Sequence, residues 1–271
     1  MPTWHGEVQT ATWLTPALVR VVLGGPGLSG FEMPDATDTY VNVALPPTGA
    51  PYAGVFSPAG VKESLPRELW PTRRRYTVRS WEAASGELTI DFVVHGDHGA
   101  GGPWAATARP GDVLVFDGPS GDYRPDPTAD WHLLVGDESA LPAIAASLAA
   151  VPAGSRAVVR LLCDGPQHEV ELPCPGELDL VWLHRTGADD DVDLLPDAVA
   201  DLVFPAGRVH AFVHGEADEI RAIRRHLLSD RRLPRADMSC SPYWRRTMTD
   251  EAWRRVKRDW NAQVESDVPV A

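Results

Sequence analysis

The sequence predicts a two-domain α+β protein, in which an antiparallel β-barrel precedes an α/β domain with a parallel sheet. At 271 residues the chain is longer than a typical single domain. Its first half contains short strand-like runs separated by turn residues, whereas its second half alternates apolar strands with helices. Residues 121–130, rich in Pro and Asp, separate the two patterns. We therefore expect a first domain at residues 1–126 and a second at residues 127–271.

The strand-like runs of the first half are rich in Val, Ile, Thr and aromatic residues, and clusters of Gly, Pro and Asp separate them. They are LVRVVLGG (18–25), YVNVALP (40–46), RYTVRSW (75–81), ELTIDFVVHG (87–96) and DVLVFDG (112–118). Strands that follow one another without intervening helices indicate an antiparallel barrel or sandwich.

The second half contains apolar strands at WHLLVGD (131–137), RAVVRLLCD (156–164), LDLVWLHR (178–185) and RVHAFVHGE (208–216). Between and after them lie the helical patterns LPAIAASLAAV (141–151), VDLLPDAVADL (192–202) and ADEIRAIRRHLL (217–228). Apolar strands that alternate with helices indicate βαβ units and a parallel sheet. A last amphipathic helix is predicted at residues 249–260, with Thr249 as its N-cap and an apolar face formed by Trp253, Val256 and Trp260.

Composition excludes several functional classes. The net charge of −13 argues against non-specific nucleic-acid binding. No run approaches the roughly 20 apolar residues that cross a bilayer, and the first residues lack the pattern of a signal peptide. The three cysteines have no metal-like spacing. We expect a cytoplasmic monomer without membrane insertion and without a tight protein metal site.

Positive charge is concentrated around RRRYTVRSW (73–81), and Lys62 and Lys257 are the only lysines of the chain. Arginine suits forked recognition of phosphate or carboxylate. A planar anionic ligand needs a ring to stack on, a donor at its edge and a cation, which Tyr76, Thr77 and Arg74 supply. The alternative is an ordinary edge strand with surface arginines.

Two further stretches have the chemistry of a phosphate site. Residues 95–112, HGDHGAGGPWAATARPGD, form a Gly-rich turn with Pro103 at the expected start of a helix. Residues 133–144, LLVGDESALPAI, end an apolar strand with Gly136 and open a helix, a layout that lets a dinucleotide approach the backbone closely.

These stretches resemble a known family. The pattern Arg-x-Tyr-Thr-x-Arg resembles the flavin-binding strand of ferredoxin-reductase-like flavoproteins, and residues 95–112 match the segment that holds the FAD pyrophosphate in one branch of them. With GDES, VWLHR, VHGEADEIRAIRRHL and YWRR, the chain resembles the siderophore-interacting proteins, or ferric-siderophore reductases, over residues 7–260. The resemblance implies a ferredoxin-NADP reductase-like fold with a Greek-key barrel.

Four positions depart from the family pattern. Ser139 stands where Thr is usual, and Pro242 replaces the Gly before Tyr-Trp. Thr247 replaces the Gly after Arg-Arg, and Ser120 stands where Arg is frequent.

The resemblance implies that the first domain holds FAD, with Tyr76 stacked on the isoalloxazine and Thr77 near its N5 as the residues closest to the chemistry. The full expected set is Arg74, Tyr76, Thr77, Val78, Arg79, His95, Gly96, Ala100, Gly101, Gly102 and Trp104. His95 also suits the role of an ordinary hydrogen-bonded structural histidine.

The resemblance also implies a nicotinamide-nucleotide site in the second domain. Asp137, Glu138 and Ser139 would face the nicotinamide, and Gly215, Glu216 and Ala217 would form the opposite lip. Capping of a helix start by the acidic pair Asp137 and Glu138 is the competing interpretation. Arg185 ends a strand where a 2′-phosphate can be recognised, which favours NADPH. Tyr243, Trp244 and Arg245 would hold adenine and phosphate, or else belong to the core.

The implied activity is reduction of ferric siderophores by FAD with electrons from NAD(P)H or ferredoxin. Lys62, Arg67 and Arg73 would form a basic rim for an anionic siderophore, and each also suits an ordinary solvated charge. One alternative is a flavin-containing protein that binds iron chelates or senses redox state without turnover. Another is a reductase that passes electrons to a protein partner, although no cysteine cluster suggests an iron–sulfur centre.

Overall fold

The chain forms two units, Met1–Arg124 and Pro125–Ala271. The computed structural model describes residues 2–96 and 99–267. Asp97 and His98 of the Gly-rich segment lie outside the described residues.

The first unit is a closed barrel of six antiparallel strands in the order β1-β2-β5-β4-β3-β6. This order is a Greek key, so the predicted barrel is confirmed. The strands are β1 Thr3–Thr15, β2 Leu18–Gly24, β3 Tyr40–Leu45, β4 Thr72–Glu82, β5 Glu87–Val93 and β6 Val113–Ser120. The helices are α1 Pro58–Ser64 and α2 Gly101–Thr107, and single 3₁₀ turns lie at Pro26–Leu28 and Arg67–Leu69.

The period-two alternation of apolar residues produces the barrel core. In β2, Val19, Val21 and Leu23 are buried and join the core cluster. Arg20 lies between them, and its guanidinium forms a two-bond ion pair with Asp91 of β5, both bonds 2.8 Å long. Apolar side chains therefore fill the barrel, while this charged pair links neighbouring strands.

The second unit contains a five-stranded parallel sheet in the order β11-β10-β7-β8-β9, which confirms the predicted α/β architecture. Its strands are β7 Trp131–Asp137, β8 Arg156–Cys163, β9 Glu177–His184, β10 Val209–Glu216 and β11 Met238–Trp244. Its helices are α3 Leu141–Ala150, α4 Asp191–Ala200, α5 Ala217–Ser229 and α6 Asp250–Asp267. Single 3₁₀ turns lie at Pro166–His168 and Arg235–Asp237.

The strand order positions the candidate site of this unit. The chain begins in the centre at β7, continues outward through β8 and β9, and then crosses to β10 on the other side of β7. Every residue of β7 is buried, as expected for a central parallel strand. The order reverses between β7 and β10, and ligands of such sheets bind beyond the carboxyl ends of the strands at this reversal.

Helix α6 begins as predicted, because the hydroxyl of Thr249 accepts a hydrogen bond from the backbone N–H of Ala252. Trp253 and Trp260 are buried and their rings pack edge to face at 5.5 Å. Val256 is 39% exposed, unlike the prediction that it shares this face. Trp253, Trp260 and Val264 form the buried apolar stripe of the helix, and Val256 lies at the margin of that stripe.

A membrane-crossing helix, long and apolar along its length, is absent from the two described ranges.

Candidate functional site

Strand β4 presents the residues predicted to hold a flavin ring. Val78 belongs to the barrel core and the ring of Tyr76 packs against that core, 4.2 Å from the ring centroid of Phe92. Thr77 is also buried, and its hydroxyl has no hydrogen-bond partner within the described ranges. Tyr76 and Val78 therefore lie on the core side of β4, and Thr77 between them is buried as well.

A β-bulge at Arg79 interrupts the alternation. The register with β5 passes from Val78 opposite Ile90 to Ser80 opposite Thr89, which leaves Arg79 as the extra residue. Burial lowers the pKa of the Arg79 guanidinium, the carboxylate of Asp91 raises it, and Arg20 lowers it further. Within residues 2–96 and 99–267 this guanidinium forms no hydrogen bond or ion pair. A partly buried cation of this kind is suited to bind an anion.

The other arginines of β4 differ in their surroundings. The guanidinium of Arg74 is half-buried and donates to the backbone carbonyl of Arg73 at 3.0 Å. The side chain of Arg75 is exposed, with its guanidinium 5.1 Å from the centroid of the Tyr40 ring.

The three residues predicted as a basic rim do not share one environment. Lys62 and Arg67 are exposed, and the ammonium of Lys62 lies 5.7 Å from the ring centroid of Trp70. Arg73 is only 15% exposed and forms an ion pair with Asp117 of β6, while its Nη1 is buried without a hydrogen-bond partner in the described residues. Arg73 therefore lacks the solvent-facing charge that a rim requires.

The Gly-rich segment lies against the same aromatic side chains. Helix α2 begins at Gly101 after Ala100, and no side chain caps it. A Cβ on Gly101 would lie 1.7 Å from the hydroxyl oxygen of Tyr76, so only glycine allows this contact. Trp104 packs on Phe92 at 5.5 Å. The structure thus brings the start of α2 and the Tyr76 ring together.

The remaining residues of the segment occupy its two ends. His95 and Gly96 follow β5 and are exposed, with Gly96 in the left-handed region at φ 57°. Gly102 packs so closely on the end of β5 that an added Cβ would lie 3.1 Å from the carbonyl oxygen of Val93.

The donor set of this unit fits FAD. Arg79 offers a cation without a partner within the described ranges, Thr77 offers an unused hydroxyl, and Tyr76 offers an aromatic ring. The first turn of α2 offers backbone N–H groups without a side-chain cap. A planar ring with a pyrophosphate requires donors of these kinds.

In the second unit, Asp137 stabilises a turn and does not present its carboxylate to a ligand. Asp137 is buried, and its Oδ1 accepts from the backbone N–H and the hydroxyl of Ser139 at 2.8 and 2.5 Å. Its Oδ2 accepts from the indole N–H of Trp244 at 2.7 Å. Asp137 therefore stabilises the turn that precedes α3 through Ser139, and among the described residues it caps no N–H group of the helix itself.

Glu138 has a different partner. Its carboxylate accepts two hydrogen bonds from the guanidinium of Arg185, 2.6 and 3.0 Å long. Arg185 also donates to Asp164 at 2.9 Å. Burial lowers the pKa of Arg185, but the hydrogen bonds and charge of Glu138 outweigh it and raise that pKa overall. Arg185 is therefore held by two carboxylates, whereas a 2′-phosphate site requires an available cation.

The helices on either side of the strand reversal begin differently. Helix α3 begins after Ala140 without a side-chain cap. Helix α5 is capped by Glu216, whose buried carboxylate accepts from the backbone N–H groups of Asp218 and Glu219 at 2.7 and 3.1 Å. Gly215 and Ala217 flank this cap, and Ala217 is buried. Of these two helix starts, that of α3 is thus the one whose backbone N–H groups have no side-chain acceptor in the described residues, which suits a phosphate.

The acidic side chain of Glu219 is buried behind the carboxyl edge of the sheet, and the sequence analysis did not predict this. Glu219 in the first turn of α5 has no solvent exposure, and Arg246 forms an ion pair with its Oε1. Its Oε2 is buried without a hydrogen-bond partner in the described residues. Burial raises the pKa of Glu219 to about 8, aided by the charge of Asp137. A Glu in a helix's first turn is common, so no sequence signal distinguished it.

The residues at the end of β11 make contacts that stabilise the fold at the carboxyl edge of the sheet. Tyr243 packs edge to face on His214 at 5.1 Å, and Arg245 pairs with Asp218 at 3.4 Å. Trp244, through its bond to Asp137, is part of the structural framework. Thr247 adopts φ 63°, a conformation that the Gly usual at this position adopts without strain.

An antiparallel Greek-key barrel followed by a parallel nucleotide-type sheet defines the class: this protein has the ferredoxin-reductase-like fold. Residues 7–123 match the siderophore-interacting FAD-binding domain, and residues 129–247 match the siderophore-interacting protein family. The chain belongs to the siderophore-interacting protein family.

Three individual proteins are similar to this chain. Ferric vibriobactin reductase ViuB of Vibrio cholerae is 35% identical over 250 residues, which cover 90% of this chain and 90% of that protein. The NADPH-dependent ferric-chelate reductase of Escherichia coli is 33% identical over 129 residues, 46% of this chain and 48% of that protein. The crystal structure of a siderophore utilization protein from T. fusca is 36% identical with a TM-score of 0.78, covering 92% of this chain and 95% of that one.

Proposed function

We propose that this chain is an FAD-dependent ferric-siderophore reductase that takes its electrons from a nicotinamide nucleotide. The contact between Tyr76 and Gly101 is the structural observation that supports it most, because it joins an aromatic strand to an uncapped helix start. Similarity to a ferric vibriobactin reductase over 90% of the chain supports the substrate class.

On the flavin side, Tyr76 would stack on the isoalloxazine and the hydroxyl of Thr77 would donate to the ring's edge. Arg74 and Arg79 would neutralise the pyrophosphate, aided by the N–H groups at the start of α2. Bound FAD supplies the conversion between a two-electron donor and one-electron acceptors.

On the nucleotide side, the uncapped start of α3 and the Ser139 turn would hold the donor's pyrophosphate and orient its nicotinamide. Asp137 would not touch the nucleotide but would position its neighbours, because its carboxylate accepts hydrogen bonds from Ser139 and Trp244. A reduced ferredoxin is the alternative donor.

The reaction consumes one NAD(P)H and two ferric siderophores and yields NAD(P)⁺, one proton and two Fe(II) ions. Fe(II) is larger and less charged than Fe(III), so the hard oxygen donors of a siderophore hold it far less tightly and release it. Many ferric siderophores are anionic, and the exposed cations Lys62 and Arg67 would attract them against the chain's net charge of −13.

The test is an anaerobic absorbance titration of the purified yellow protein with NADH or NADPH, followed by a ferric catecholate or a ferric hydroxamate. We expect the nucleotide to bleach the flavin band and the chelate to restore it, with an Fe(II)-specific chromophore reporting product.

Other outcomes have defined meanings. If neither nucleotide bleaches the flavin but dithionite-reduced protein still reduces the iron, the donor is a protein such as ferredoxin. If reduced flavin does not react with either chelate, the proposal is wrong and a binding or redox-sensing role is favoured.

A further inference from the structure

The carboxyl ends of three neighbouring parallel strands bring one cation and two carboxylates together. Glu138 follows β7, Asp164 follows β8 and Arg185 follows β9. Arg185 forms its two-bond pair with Glu138 and a single 2.9 Å bond to Oδ1 of Asp164. Asp164 is 51% exposed, whereas Arg185 is 18% exposed, so the cluster presents a carboxylate to solvent.

The position of this cluster matches that of the adenosine ribose in dinucleotide-binding sheets. In such sheets the pyrophosphate lies at the helix that follows the first strand, and an acidic residue some 20 positions later binds the ribose hydroxyls. Here the first strand is β7, and Gly136 near its end packs so closely that an added Cβ would lie 2.6 Å from Cβ of Ala140. Asp164 directly follows the next strand outward, 28 positions after Gly136.

The charges of the cluster favour a hydroxyl over a phosphate. Its two carboxylates and one guanidinium sum to −1. The guanidinium of Arg185 has both terminal nitrogens bound to carboxylate oxygens. Oδ2 of Asp164 has no partner in residues 2–96 and 99–267 and can accept a hydrogen bond. A 2′-phosphate, with about two negative charges, would meet this carboxylate before it met a free cation.

We propose that Asp164 accepts a hydrogen bond from the 2′-hydroxyl of the adenosine ribose and thereby selects NADH over NADPH. Glu138 contributes by holding Arg185 away from a 2′-phosphate. The inference rests on the proposed function and specifies its donor, and it replaces the expectation that Arg185 favours NADPH.

The test measures binding without turnover. Isothermal titration calorimetry of the oxidised flavin-loaded protein with NAD⁺ and with NADP⁺, at equal ionic strength, gives two dissociation constants. We expect NAD⁺ to bind about tenfold or more tightly than NADP⁺, since a hydrogen bond to a charged group has about that effect. Asp164→Ser should weaken NAD⁺ binding about tenfold and strengthen NADP⁺ binding.

Two further variants make the result specific. Asp164→Asn keeps an acceptor without the charge, so it should retain NAD⁺ binding and lose most of the penalty against NADP⁺. Asp197→Asn removes an exposed charge from α4 and should leave both constants unchanged. The inference is overturned if the wild type binds NADP⁺ as tightly as NAD⁺, or if it binds neither nucleotide. It is overturned equally if Asp164→Ser weakens both nucleotides by the same factor.

Failure of this inference is distinguishable from failure of the reductase function. In a separate experiment the flavin is reduced by light, without any nucleotide, and a ferric chelate is then added. Reoxidation in a protein without NAD⁺ selectivity leaves the reductase function intact and removes only the role of Asp164. If the flavin is not reoxidised, the reductase function is wrong. The preference for NAD⁺ is still decided by the calorimetry, which does not depend on turnover.

Discussion

Replacing Glu219 with Gln should make the free energy of unfolding less dependent on pH. The carboxyl group of Glu219 is fully buried, and one of its oxygens accepts a hydrogen bond from the guanidinium of Arg246. Burial raises its pKa to about 8; the negative charge of Asp137 adds to this, Arg246 opposes it, Glu216 adds and Arg185 opposes. The folded protein therefore keeps a proton on Glu219 that the unfolded chain releases near pH 4.5.

The sign and size of the effect follow from this difference. Between pH 4.5 and about 8 the folded state binds more protons, so the free energy of unfolding falls as the pH rises. Stability from this group is complete below pH 4.5 and lost as the pH passes about 8. At about 1.4 kcal/mol per pKa unit, the total is on the order of 5 kcal/mol, and the part between pH 5.5 and 9 is about 3 kcal/mol.

The assay is urea unfolding of the flavin-loaded protein at several pH values between about 5.5 and 9, followed by tryptophan fluorescence. Gln resembles the protonated carboxyl and does not titrate, so Glu219→Gln should gain about 3 kcal/mol relative to wild type across this range. Glu177→Gln, at a side chain that is 72% exposed, is the matched control and should follow the wild type. A constant difference between Glu219→Gln and wild type across the range would refute the reasoning.

Three further outcomes are expected. Thr247→Gly should stabilise the protein by about 0.5–1 kcal/mol and raise Tm by a few degrees, because it relieves the left-handed conformation at φ 63°; an unchanged or lower Tm would contradict this. Trp244→Phe keeps an aromatic ring but removes the indole N–H that donates to Oδ2 of Asp137, and should cost about 1–2 kcal/mol in urea unfolding; no loss would show that another donor replaces the bond. Arg74→Ala should yield protein with little flavin, measured as the ratio of flavin to protein absorbance, and a full flavin content would exclude its assigned role.

Periodicity was sufficient to predict the architecture. The nearly all-apolar run that becomes β7 is favourable only with both faces buried, and the alternating run that becomes β2 only with one face buried. Strand type and sheet type therefore followed from hydrophobic spacing. In helix α6, spacing alone was less reliable. Val256 meets the apolar pattern but lies at the margin of the contact, where the width of the neighbouring surface decides its exposure.

Partners of charged side chains were not predictable in this way. Arg185 and Glu138 are 47 positions apart, and their pairing depends on two strands ending at the same edge of a sheet. Glu216 and Glu138 are the same residue type, but their partners differ. The carboxylate of Glu216 caps a helix start, whereas that of Glu138 pairs with the guanidinium of Arg185. Sequence patterns located the edge, but contacts across strands determined which of its residues are available to a ligand.

The close packing of Gly101 on Tyr76 makes the residue that fits at one position depend on the residue at the other. A methyl group at position 101 would lie 1.7 Å from the tyrosine hydroxyl oxygen, and also 2.6 and 2.9 Å from two ring carbons. Exchange of Tyr76 for Phe would therefore not make room for Ala at position 101. The chain can lose this glycine only together with the six-membered aromatic ring, so the two residues should be inherited as a pair across the family.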